Sequence, residues 1–295
     1  MTTACTRLGI GTVQWGTNYG INNHDGIASP PEVCLILDSA RRSGVVTLDT
    51  AASYGSSEIV IGKHDLTDFR IVTKTPHLGA GPIKAQQVRE LETVFSRSLE
   101  NLVVERVYGL LLHNTSDLFS PGGRQLLKVM QTLQARGKVD RIGVSVYDSD
   151  ELDAVLEMFT PDIVQLPVNV LDQRLVCDGS IQRLRKMGVE VHARSVFLQG
   201  LLLMPLDFLP KYFEPIRCHL ERWHLACVQQ GVTPTQGALI YVRDSVDVDV
   251  CLVGVENSAQ FEQCLSDFRC LSRFDAGGLR CDDPAFVNPA NWTLG

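Results

Sequence analysis

The stretch "VVTLDTAASYGSSE", residues 45–58, opens as an apolar run, places an aspartate at its end (Asp49), a tyrosine five places later (Tyr54), and a small-residue turn before a helical pattern. An apolar run of this length reads as a buried strand. The same reading extends to "LGIGTV" (8–13), "FRIVTK" (69–74), "RVYGLLLH" (106–113), "RIGVSV" (141–146), "DIVQLP" (162–167), "VEVHARS" (189–195) and "VDVCLVG" (248–254). Between and after these runs, the patterns at 31–43, 56–63, 86–101, 122–136, 149–159, 178–187, 213–243 and 258–268 carry helical periodicity. Eight strands alternating with eight helices, each connection long enough for a crossover, predict a closed parallel (β/α)8 TIM barrel spanning 1–295 as a single domain. An open doubly wound sheet is the rival. Against it, "LGIGTVQWG" does not lead into a phosphate-binding helix with an acidic residue about 20 positions on.

A barrel gives the opening stretch a second meaning, because reactive groups in this architecture sit where strands end at the carboxyl face. Asp49 ends the second run, Lys74 the third and His113 the fourth, while Tyr54 follows the second. A tyrosine hydroxyl, with an ordinary pKa near 10, is a weak acid. A neighbouring ammonium stabilises its phenolate, and a carboxylate holds that ammonium charged. Tyr54, Lys74 and Asp49 suit those roles, and His113 is suited to donate a hydrogen bond to a substrate oxygen. Such a group polarises a carbonyl and protonates the alkoxide formed when hydride adds to it.

Composition narrows the classes. The 295 residues are 44% hydrophobic and 21% charged, with a net charge of −7 and no basic stripe, so nucleic acid is a poor partner. The longest apolar runs, such as "VFLQGLLLM", fall short of the ~20 residues of a membrane span, and the N-terminus lacks a basic end followed by an apolar stretch; a cytoplasmic protein, monomeric or a small homo-oligomer, is expected. The nine cysteines, Cys5 among them, are scattered without a C-x-x-C pair, and most read as small buried hydrophobes in a reducing compartment. In "CHLERWHLAC" (218–227) the two histidines, His219 and His224, are five apart and fall on different helix faces, so no metal is expected.

In this order of motifs, from "LGIGTVQWG" through "LDTAASYGSSEIVIG", "IVTKT", "LLLHN", "IGVSVYD", "VQLPVNVLDQR" and "RSVFLQGLL" to "LVGVENSAQ", the sequence resembles the aldo-keto reductase superfamily. The resemblance implies NADPH or NADH lying extended across the carboxyl mouth, and Asp49, Tyr54, Lys74 and His113 as the catalytic tetrad. It also implies that Ser145, Gln165 and Asn169 meet the carboxamide end of the cofactor and that Ser195, Leu198 and Gly200 meet the pyrophosphate. Gly254, Asn257, Ser258 and Gln260 correspond to the adenosine end. Where many members stack an aromatic ring on the nicotinamide, this chain has Arg194, whose planar guanidinium also stacks. Where NADPH users carry a basic residue, "VGVENSAQFEQ" offers Glu256 and Glu262, which weakens the case for NADPH and leaves the choice open.

Trp15, Tyr19, Tyr147 and Phe197 are placed as walls of a substrate pocket, and the loops 18–30 and 201–212 as lids. "GTVQWGTNYGI" resembles bacterial members associated with sugar and cell-surface polysaccharide pathways, pointing to a sugar or sugar-like aldehyde or ketone. A cofactor-binding regulatory subunit that partners other proteins is the alternative function. A sugar isomerase or metal-dependent lyase on the same fold would need a carboxylate and histidine cluster that these strand ends do not supply.

Overall fold

The computed structural model describes residues 7–79 and 81–294; Cys5 lies outside them, and of the other cysteines Cys34, Cys177 and Cys218 are exposed rather than buried. Eight parallel strands close into one barrel in sequence order, β8 pairing back to β1. They are β1 (Leu8–Gly11), β2 (Thr47–Asp49), β3 (Arg70–Lys74), β4 (Val107–Leu112), β5 (Val139–Ser145), β6 (Ile163–Pro167), β7 (Glu190–Arg194) and β8 (Val250–Gly254). This is the (β/α)8 architecture the alternation predicts.

Helices return the chain between strands, and their apolar faces pack on the barrel's outside. The helix Ala85–Leu102, for instance, buries Leu91, Phe95 and Leu102 at spacings of four and seven. The pattern at 213–243 is not one helix. After a short 3₁₀ turn the chain forms Arg217–Gln229, breaks at Gly231 with φ +68°, and restarts at Pro234–Ser245 behind a Thr233–Gln236 capping box. A glycine in left-handed geometry followed by proline at the first helical position ends one helix and begins the next.

Register fixes which side chains enter the barrel. Side chains alternate along each strand, and the pairings Asp49 with Val72, Lys74 with Leu111, Ser145 with Gln165 and Gln165 with His192 set one inward row after another. Val72, Leu111 and Ile163 form a small apolar plug inside, separate from the large shell between barrel and helices. Above it, toward the carboxyl ends, the inward positions are polar. Below it, Tyr108, Arg141 and His192 converge on Glu190, whose carboxylate accepts from Tyr108 Oη at 2.6 Å and His192 Nε2 at 2.8 Å and pairs with Arg141 at 3.2 Å.

Candidate active site

Asp49 and Tyr54 sit on β2 and the loop that follows it. Thr47–Asp49 is only three residues long, and hydrogen bonds from elsewhere hold its end. Thr12 donates both its amide N–H and its hydroxyl to Asp49 O, at 2.9 and 3.0 Å, and Ser57 Oγ donates to Thr12 O at 2.9 Å. The loop then closes tightly, with Tyr54 N donating to Ala51 O, and the helix Ser57–Ile61 follows. The small residues of "GSS" are needed because the loop after β1 lies against them. A Cβ on Gly16 would stand 1.9 Å from Tyr54 O, and one on Gly55, which has φ +57°, would stand 2.3 Å from Gly16 O. No side chain fits either place, and only glycine adopts the second conformation without strain.

Asp49, Lys74 and Tyr54 meet as expected. Lys74 Nζ donates to Asp49 Oδ1 and Oδ2 at 2.8 and 2.7 Å, to Thr50 O at 3.0 Å and to Tyr54 Oη at 3.3 Å. Both ends of the ion pair are buried. Burial opposes the Lys74 ammonium, but Asp49 and the Tyr54 oxygen outweigh it and the pKa is raised. Gln165 Nε2 donates to Asp49 Oδ1 at 2.7 Å, so the carboxylate is fully engaged.

Tyr54 departs from expectation in one respect. Burial raises its pKa, Lys74 pulls it down, Asp49 raises it again, and the net shift is upward. The phenol stays protonated at neutral pH. His113 lies edge-on to Tyr54, ring centroids 5.9 Å apart. Burial and the charges of Lys74 and Arg194 push its pKa down to about 3, so it is a neutral imidazole, with Ser53 Oγ 3.4 Å from Nδ1.

Tyr54 and His113 face a cavity of about 510 Å³ at the carboxyl mouth. It runs from them past the ends of β5 to β8 to Gln260 and Gln263 in the first turns of the helix Ser258–Arg269. Of the residues placed against a cofactor, Ser145, Gln165, Arg194, Ser195, Gly200, Gly254, Glu256 and Gln260 line it. Asn169, Leu198, Asn257 and Ser258 do not. Asn169 is fully buried and braces the loop after β6, its Oδ1 accepting from Leu171 N and Asp172 N and its Nδ2 donating to Ser195 O. Leu198 points its side chain into the core while its backbone takes φ +48°.

Of the pocket walls, Tyr19, Tyr147 and Phe197 line the cavity, and Trp15 does not. The 3₁₀ turn Val13–Trp15 swings the indole inward to 0% exposure, where Nε1 donates to Val255 O at 3.2 Å. Gln14, Asn22 and Asn23 line the cavity instead, without a signal in the sequence. Glu262 also faces away, accepting from Ser39 Oγ. Glu32, in the first turn of the helix Pro30–Ser43, lies outside the cavity lining and accepts from Ser258 N at 2.6 Å.

The loop 18–30 crosses the mouth. Ile21 N donates to Gln199 O at 3.0 Å on one side, and Asp25 accepts from Asn257 Nδ2 at 2.9 Å on the other. The segment 201–212 is packed inward only at its start. Leu201 and Leu202 are buried, Trp223 Nε1 donates to Leu202 O at 2.8 Å, and only Leu203 of this segment reaches the cavity.

Two observations fit an extended dinucleotide. Gln14 Oε1 is buried against the cavity with no protein partner. Gly200, at φ +91°, presents bare backbone to the cavity, where a ligand can approach closely.

Barrel, buried Asp–Lys–Tyr chain and elongated carboxyl cavity together define a barrel oxidoreductase site. The chain belongs to the aldo/keto reductase family, whose model matches residues 7–273. It is 24% identical over 303 residues to the NADH-specific methylglyoxal reductase of Escherichia coli (strain K12), with 89% of this chain and 91% of that protein covered. Among solved structures it is similar to an aldo-keto reductase from Bacillus halodurans in its holo form, with TM-score 0.69 and 17% identity, covering 94% of this chain and 91% of that one. It is also similar to the glycerol dehydrogenase of Gluconobacter oxydans, with TM-score 0.67 and 20% identity, covering 90% and 87%. Membership makes the protein an oxidoreductase of a family that uses NAD(P)H and acts on small molecules. No helix among the described residues is long and apolar enough to cross a membrane.

Proposed function

We infer that the protein reduces a small aldehyde or ketone to an alcohol at the cavity beside Tyr54, using a reduced nicotinamide dinucleotide. The observation that carries this reading is the buried chain from Asp49 through Lys74 to a protonated Tyr54 hydroxyl, open to the cavity at its last member. Ser145, Gln165, Ser195, Gly200, Gly254 and Gln260 would hold the cofactor along the cavity, with Gln14 offering its unpartnered Oε1. Glu256 stands at the adenosine end. When bound, the nicotinamide supplies the hydride.

The chain's own residues supply the rest. Neutral His113 orients the carbonyl oxygen by a ring N–H, and Tyr54 hands its proton to that oxygen as charge develops on it. Lys74 stabilises the phenolate left behind, and Asp49 keeps Lys74 charged and aimed. Asn22 and Tyr19 give the mouth polar groups suited to a hydroxylated, sugar-like carbonyl compound. The names of the relatives, for methylglyoxal and glycerol, favour a short one.

Replacing Tyr54 with Phe removes one hydroxyl and leaves the cavity's shape. General acid catalysis is worth about 10²- to 10⁴-fold, so Tyr54→Phe is expected to lose that much of kcat for aldehyde reduction while cofactor quenching of tryptophan fluorescence persists. Unchanged turnover would remove Tyr54 from the role. Absence of quenching by both NADH and NADPH in the unaltered protein would remove the cofactor.

A further inference from the structure

Among the described residues, nothing of opposite charge stands beside the Arg194 cation. It ends β7, points inward, is half-buried, and lines the cavity that holds Tyr54 and His113. Its protein partners are neutral: Nη1 donates to Ser195 Oγ at 3.3 Å, Nη2 donates to Val146 O at 3.1 Å, and Cζ sits 4.2 Å from the centroid of the Tyr147 ring. Tyr147 thus covers one face of the guanidinium. Those two bonds use two of its five N–H groups, leaving three on its edge.

The neighbouring charges do not cancel it. Lys74 is matched by Asp49, and His113 is neutral. The reacting end of the cavity therefore carries one net positive charge. Arg194 belongs to that end rather than to the adenosine end, since its charge is felt at Tyr54, His113 and Tyr19, whereas Glu256 is influenced by Asp25 and His24. Holding a half-buried cation without a counter-charge is unfavourable, and an anionic ligand group removes that cost.

We propose that Arg194 binds a carboxylate carried by the substrate, making this an enzyme for oxo acids: aldehydes or ketones with a carboxylate within reach of the carbonyl. The planar fork of a guanidinium matches the two carboxylate oxygens. Its edge makes that contact, in place of the cofactor stacking that the resemblance implies. The carboxylate takes no part in the chemistry. As the carbonyl π bond breaks, its carbon gains the hydride with two electrons and its oxygen gains the Tyr54 proton, the cofactor is oxidised, and the product is a hydroxy acid. Water then returns a proton to Tyr54.

The inference rests on carbonyl reduction at Tyr54, and the test separates the two. Glyoxylate and succinic semialdehyde are compared with their neutral isosteres isobutyraldehyde and 4-methylpentanal, as kcat/KM ratios within each protein so that shared effects cancel. A charge-assisted carboxylate contact is worth about ten- to a hundredfold. At least one anionic member is expected to exceed its isostere by that factor, the ratio collapsing toward one in Arg194→Gln and partly returning in Arg194→Lys. A ratio that Arg194→Gln leaves unchanged overturns the proposal. So does a loss of NADH affinity in Arg194→Gln with both aldehydes of a pair slowed equally, because the anion is then the cofactor's. Binding of the unreactive carboxylate oxamate, by calorimetry on the NADH-loaded protein, is the readout independent of turnover. Oxamate binding that depends on Arg194 in a protein that reduces no aldehyde would defeat the proposed reaction and keep the carboxylate site, and oxamate binding unaltered by Arg194→Gln defeats the site.

Discussion

At the residue scale, two titrations meant to report on the reaction have been moved out of the neutral range. His113, held near 3, is uncharged at every pH the protein meets, and Tyr54, raised above its ordinary 10, keeps its proton. The rate of carbonyl reduction is accordingly expected to stay level from about pH 5 to about pH 9 and to fall only in the alkaline range as Tyr54 deprotonates. Alcohol oxidation needs the phenolate, so its rate climbs over the same alkaline range. A break in reduction kcat/KM near pH 6.5 would show instead that His113 titrates and that its charged form matters. Nothing in the residue order betrays these shifts. "LDTAASYG", "TK" and "LLH" placed Asp49, Lys74, Tyr54 and His113 at one face because strand ends are countable, but the balance between burial and charge that decides the Tyr54 pKa depends on neighbours distant in sequence.

At the element scale, what was legible is what alternation encodes. A side chain in a strand points in or out by parity, so Ser145, Gln165 and Arg194 are found at the mouth where their positions put them. A loop has no such parity. Trp15 turns into the core on a 3₁₀ turn, Gln14 takes the cavity, and the start of 201–212 folds into the wall. Glu32 escapes notice for a different reason, as a carboxylate in a helix's first turn is commonplace and only tertiary packing brings the helices Pro30–Ser43 and Ser258–Arg269 together. There it accepts from the Ser258 amide, which the family resemblance assigns to the adenosine end, so a 2′-phosphate placed there would meet a carboxylate. The amide's hydrogen bond holds Glu32 below the usual carboxylate range, so it is charged at neutral pH, while burial raises Glu256. NADH is therefore expected to bind at least tenfold more tightly than NADPH, with Glu32→Gln narrowing the ratio of dissociation constants. Equal affinities in the unaltered protein would end this account.

At the scale of the whole molecule, the two ends of the barrel divide their tasks, with the carboxyl mouth reactive and the amino end braced. Glu190 is the centre of that brace, gathering Tyr108, His192 and Arg141, with Arg70 and Arg141 both over the Tyr108 ring at 5.1 and 5.5 Å. Glu190→Ala strands all three partners, and is expected to lower unfolding free energy by about 2–4 kcal/mol in urea melts while leaving the distant mouth intact. Burial raises the Glu190 pKa, but the bonds from His192 and Tyr108 prevail and lower it from its ordinary 4.5. Its contribution is then present above 4.5 and lost as pH falls through the lower folded value. A loss below about 0.5 kcal/mol, within the range of ordinary surface substitutions, would contradict the brace.

The backbone contact between Gly16 and Gly55 makes one joint out of two loops. The chain after β1, which goes on to cross the mouth, and the chain after β2, which carries Tyr54, meet there with no room for a side chain. Redesign that inserts or deletes residues at the joint itself shifts the proton donor along with the strap. Length can be varied without that penalty only beyond residue 17, which makes 18–30 the module for grafting new substrate preferences and leaves the turn around Tyr54 as its fixed mount.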